Sequence, residues 1–98
     1  MKYTSNMPSY NPPIAHYAHV NVSSYDPNVL FSAIGRDGWI FKKLTNKLGL
    51  TYLWWDMDNQ RVELWGPFES FQKGATKHIA DHVLWHSQPD WLGPFHDQ

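Results

Sequence analysis

The chain has no cysteine, which excludes a disulfide framework and thiolate chemistry and fits a reducing compartment. It has little charge: charged residues make up 17% and the net charge is −1, so bulk electrostatics do not mark a binder of polyanions. No hydrophobic run approaches membrane-spanning length and no secretory h-region is present, so the expectation is a soluble, intracellular protein without a membrane partner. A nucleophile elbow, a phosphate-transfer motif and a recognisable carboxylate pair are also missing, which argues against an enzyme and gives no reason to expect a cofactor. There is no internal repeat and no low-complexity tract.

What is present suffices for one small domain of 98 residues. Hydrophobic residues reach 42% and aromatics 16%, with six tryptophans; a core can form, and some indoles should remain on the surface as contact groups. The charge is unevenly distributed. Arg36, Lys42, Lys43 and Lys47 against Asp37 alone give that segment +3, so the remainder carries −4. A basic segment on an acidic body favours an anionic partner without general stickiness.

Residues 1–18 mix proline, serine, asparagine and tyrosine without periodicity and predict an extended arm, stiffened at Pro12-Pro13. Tyr10, Ile14 and Tyr17 are its candidate anchors. "HVNVSS" alternates, with Val20 and Val22 on one face, and predicts a short strand. Asp26 as N-cap, Pro27 at the first helical position and Gly35 as the stop predict a short helix. A second helix is expected from Trp39 to Leu48, ended by Gly49. "LTYLWWD" and "RVELW" read as a hairpin around "MDNQ". Leu50, Tyr52, Trp54, Val62 and Leu64 are expected on one face, with Leu53, Trp55 and Trp65 on the other. "GPFESFQKGATKHIADHVLW" predicts one last helix with a stripe of Phe68, Phe71, Ala75, Ile79 and Val83. The tail from 85 to 98 is broken by Pro89, Gly93 and Pro94 and carries Trp91 and Phe95.

The segment "AIGRDGWIFKKLTNKLG" holds two glycines three apart, directly ahead of a lysine-bearing helix. Glycine lets backbone amides approach a phosphate without an intervening Cβ. The next helix begins with unpaired N–H groups and the positive end of a dipole, and Arg36 can add a charge-assisted contact. The bland alternative is a helix-to-helix turn with positive φ angles and no ligand. The nucleic-acid reading depends on the amide contact: were the N–H groups of this bend already engaged within the protein, that reading would collapse, while the fold assignment could stand.

The order strand, short helix, GxxG, helix, two strands, helix resembles a type I KH domain over residues 19–84. The likeness rests on "IGRDG" followed by Phe41 and Leu44, on Gly49 as helix stop, and on "VELWGPFESFQKG" as closing strand, Gly-Pro turn and final helix. It implies an α+β fold of the βααββα type, a three-stranded antiparallel sheet packed on three helices. It also implies binding of single-stranded RNA or DNA, RNA above all, by a loop that clamps the sugar-phosphate chain beside a groove that reads bases. Carried onto this chain, the candidate binding residues are Ile34, Gly35, Arg36, Asp37, Gly38, Trp39, Ile40, Lys42 and Lys43. Asp37 stands where a carboxylate would face the incoming phosphate, and offsets one of four cations. Asp56 and Asp58 form an acidic hairpin loop nearby.

Trp39 follows the loop without an evident core role and is a candidate for stacking on a base. His78, His82 and His86 are four apart on the last helix, but three imidazoles make a poor zinc set, and His82 reads as a core-edge histidine. Leu53, Trp55 and Trp65, with Trp91 and Phe95 of the tail, are candidate protein contacts. Either an arm of the chain covers that aromatic sheet face, or a second copy or another protein does. In that second reading the domain is a structural or adaptor subunit of a larger assembly, such as a ribonucleoprotein or viral particle.

Overall fold

The computed structural model describes residues 10–88. Alternating inward side chains (Ala18, Val20) form strand β1, His16–Asn21, which begins three residues earlier than the strand expected from position 19. Asp26 caps helix α1, Pro27–Ile34, its Oδ1 accepting from the Asn28 N–H at 2.8 Å, and Pro27 occupies the first turn as expected. A single 3₁₀ turn, Arg36–Gly38, leads into helix α2, Trp39–Lys47. Gly49, at φ 69°, closes α2 with the Leu50 N–H on Thr45 O and the Gly49 N–H on Asn46 O, the paired bonds of a Schellman ending.

Strands β2, Tyr52–Asp56, and β3, Arg61–Gly66, form the expected hairpin. The sheet is antiparallel and open, in the order β1-β3-β2. Helix α3, Phe68–Gln72, and helix α4, Ala75–His86, follow. The single closing helix expected from the sequence is thus two, because Gly74 sits at φ 93° and turns the chain between them. The break also removes Phe68 from the stripe: Ala75, Ile79 and Val83 are buried and Phe71 packs on the core, while Phe68 is exposed against the His16 ring. Among the described residues the architecture is α+β, with four helices on one face of a three-stranded sheet.

The core joins Val22, Leu30, Ala33, Ile34, Phe41, Leu44, Leu50, Trp55, Val62, Leu64, Ala75, Ile79 and Val83. The hairpin register corrects the expected faces. Asp56 pairs with Arg61 across a four-residue loop, so Tyr52 lies opposite Trp65, Trp54 opposite Glu63 and Trp55 opposite Val62. Directly opposed residues share a face. Leu53 and Trp55 therefore point inward with Val62 and Leu64, and Tyr52, Trp54 and Trp65 lie together on the outer face. The connection is the expected 57–60, and because it holds four residues it sets even positions opposite odd ones; the grouping of 52 and 54 with 62 and 64 does not follow from that loop.

Candidate functional site

The GxxG turn is built by three left-handed positions, Gly35 (φ 82°), Asp37 (φ 55°) and Gly38 (φ 78°). At Gly35 a side chain would also be blocked: a Cβ there would stand 2.7 Å from Ile40 Cγ1 and 2.9 Å from Trp39 Cδ1 and Nε1. Aspartate is one of the few residues with a side chain that tolerates the left-handed region, which gives Asp37 a backbone reason to be present. The turn is anchored from behind. His82 of α4 places Nε2 2.8 Å from the Ala33 carbonyl, so Nε2 carries the proton and donates to the last turn of α1. Burial pushes this imidazole below its ordinary value, with His78 adding to the effect and the Ala33 bond opposing it. The His86 ring stands edge-on to His82 at 4.6 Å. Among the described residues no group of three or more His, Asp or Glu could hold a metal ion.

The amides of the turn are engaged. The Gly35 N–H donates to Phe31 O at 3.0 Å, the Gly38 N–H to Gly35 O at 3.0 Å, and the Trp39 N–H to Arg36 O. The bare-amide cradle expected from the two glycines is therefore withdrawn at Gly35, Gly38 and Trp39, and with it the ground on which the sequence rested nucleic-acid binding; such a reading now has to stand on side chains alone. Ile34 is corrected as well. It is fully buried in the core and cannot line an open groove; Ile40 is half-buried against the same core.

Side chains, not amides, face outward from this edge. Arg36, Asp37, Lys42, Lys43 and Lys47 are all exposed. Elsewhere among the described residues every cation has a carboxylate partner: Arg61 has Asp56 and Glu63, Lys73 has Glu69, and Lys77 has Asp81. None of the four cations from 36 to 47 has one. Asp56, expected to add acidity beside the site, is occupied at home: Asn59 donates to both of its oxygens and holds its carboxyl below the ordinary value. Trp39 is 53% exposed, and the Lys43 ammonium lies 5.5 Å from the ring centroid, a cation–π contact worth about 0.5–1 kcal/mol at an exposed site.

No family model, curated protein or solved structure matches this chain. What the site can do is therefore read from its own side chains: four cations without a carboxylate partner and one exposed indole, carried by the 3₁₀ turn and helix α2.

The residues expected to make protein contacts are dispersed. Trp55 is core, Leu53 packs against it, and Trp65 is buried on the opposite face. Trp91 and Phe95 lie outside the described residues. The outer sheet face is covered in part by the arm, through a residue that sequence reasoning named only as an anchor. The Tyr10 ring lies 5.0 Å from Trp54, 6.0 Å from Trp65 and 6.5 Å from Tyr52, and the Asn11 N–H donates to Tyr52 Oη. Glu63, only 3% exposed, sits at the centre of this face. It accepts from Tyr10 Oη and Tyr17 Oη at 2.8 Å each and from Arg61 Nε at 3.1 Å. Partial burial and the bond to Glu63 push the Tyr10 hydroxyl up to about 12 and shift Tyr17 the same way, so both remain donors at neutral pH. Glu63 escaped notice in the sequence because its place between Val62 and Leu64 looked like an ordinary outward strand position; the tyrosine partners come from 53 and 46 residues away.

Proposed function

We propose that this chain is a KH-like module that binds single-stranded nucleic acid, RNA above all, along the edge from Arg36 to Lys43. The order of elements supports the likeness: strand, helix, glycine-flanked turn, helix, hairpin and a closing helical pair. One observation carries the functional reading. The described cations without a carboxylate partner are all between positions 36 and 47 of an otherwise acidic chain. Unpaired cations beside an exposed indole are what a flexible polyanion with unstacked bases requires.

Binding works through side chains. Arg36 and Lys42 take phosphates, Ile40 and Trp39 offer apolar surface to bases, and Asp37 opposes the approach. The glycines serve the turn instead of the ligand: they supply the positive φ angles and, at Gly35, the close packing by which the chain passes from α1 to α2. The adaptor reading keeps less support, because Leu53 and Trp55 are inward and a partner for Trp65 would first have to displace Tyr10.

Titration of labelled poly-purine and poly-pyrimidine single strands over a salt series tests the proposal. Arg36→Ala/Lys42→Ala should weaken binding and lower the salt slope by roughly 0.7 for each phosphate that is no longer neutralised. Asp37→Asn keeps a residue at home in the left-handed region while removing the carboxylate, and should strengthen binding several-fold. Equal affinities for wild type and both variants would overturn the reading.

A further inference from the structure

We infer that Trp39 is a preformed stacking platform for a single unpaired base, and that it makes the site select strands with exposed purines over a bare sugar-phosphate chain. The inference rests on the nucleic-acid reading above and names the part of the ligand that charge alone does not recognise. Its basis is how the indole is held. An exposed tryptophan on a helix would ordinarily sample several rotamers. Here the pyrrole edge leans on Gly35, close enough that a Cβ would stand 2.9 Å from both Cδ1 and Nε1. Ile40 Cγ1 fills the other side of the same glycine, 2.7 Å from that Cβ position. The strained φ of 82° and the close approach together keep position 35 bare, and the indole rests in the space so created.

The ring thus rests one edge on Gly35 while 53% exposed, with the Lys43 ammonium over it. Every base offers a π-face to the indole, so stacking is sequence-tolerant; the larger two-ring face gives purines a modest advantage. When a base takes the place above the ring, the Lys43 ammonium moves outward to the adjoining phosphate, so the lysine exchanges one favourable interaction for another. A ring already resting on the backbone also gives up less side-chain freedom on binding.

The experiment compares three strands of equal length on the full chain: poly-purine, poly-pyrimidine and abasic. Binding is read by anisotropy and by the Trp39 indole N–H resonance, assigned from a Trp39→Phe variant. The wild type should bind the poly-purine strand tightest and the abasic strand weakest, with the Trp39 resonance moving only for strands that carry bases. Trp39→Ala should weaken poly-purine binding about 5- to 150-fold, far more than it alters abasic binding, with Trp39→Phe in between. If the wild type binds abasic and base-bearing strands equally, the platform is overturned while the electrostatic reading stands. Absence of binding to any strand overturns both. A Trp39 resonance that responds to protein concentration and not to oligonucleotide makes the indole a protein contact, and overturns the inference as well.

Discussion

The outer face of the sheet and the edge from Gly35 to Lys47 are both rich in aromatic and charged groups, yet they are finished differently. On the sheet, Glu63 takes three donors, Arg61 has two carboxylates, and Tyr10, Tyr17, Tyr52, Trp54 and Trp65 pack ring against ring. On the edge, four cations have no anion and an indole stands half in solvent. A buried polar network that is fully satisfied contributes rigidity and fold specificity; a surface left unsatisfied in one sign is suited to a ligand of the other. The aromatic count alone does not separate the two roles. The state of the partners does.

The contrast can be broken first at Glu63. Glu63→Ala removes the acceptor of two tyrosine hydroxyls and leaves the Arg61 guanidinium with Asp56 alone, and should cost about 3 kcal/mol. Thermal unfolding should shift down by more than about 10 °C, while oligonucleotide affinity per folded molecule stays unchanged. A stable variant would mean that the arm is not held by this carboxylate. Gly35→Ala comes next, at about 2–3 kcal/mol from the forbidden backbone and the Ile40 clash. Gly74→Ala, also at positive φ but in the αL region and with nothing within 4 Å, should cost less in the same urea titration. Then come matched cation removals: Arg61→Ala should cost about 1 kcal/mol, and Lys42→Ala less than about 0.5 kcal/mol. Equal costs would erase the distinction between a paired and an unpaired cation.

The smallest effect is in pH. Burial holds His82 and, with His82 beside it, His86 below their ordinary value. The unfolded chain therefore takes up protons first as pH falls through about 6.5, and stability declines in that window. Urea midpoints measured from pH 8 to pH 5 should fall, and His82→Gln should flatten the slope. A midpoint independent of pH would contradict the buried, donating imidazole.

Much of this molecule was legible in the sequence because its punctuation is strong. Asp26, Pro27, Gly35 and Gly49 set the helix ends, and the alternation of β1 and the hairpin set the strands. The faces of the hairpin were less legible. Whether 52 opposes 64 or 65 depends on whether the connection holds an odd or an even number of residues; the expected loop "MDNQ" holds four, which sets 52 against 65, and a face assignment by alternation along each strand separately missed that parity. Gln60, at φ 53°, closes a four-residue loop and places even positions against odd ones. The break at Gly74 was hidden for a related reason, since a glycine inside an amphipathic stretch reads equally as tolerated or terminal. At the site, the cations and Trp39 were visible as residue types. The engagement of the glycine amides was not, because it depends on the turn adopted between two helices.

Position 37 is where this backbone leaves its chemistry adjustable. Aspartate, asparagine and glycine all accommodate the φ of 55° found there, and they differ by a full negative charge or none. The turn can therefore act as a dial: one codon resets the net charge of the surrounding surface while the two helices it joins stay in place.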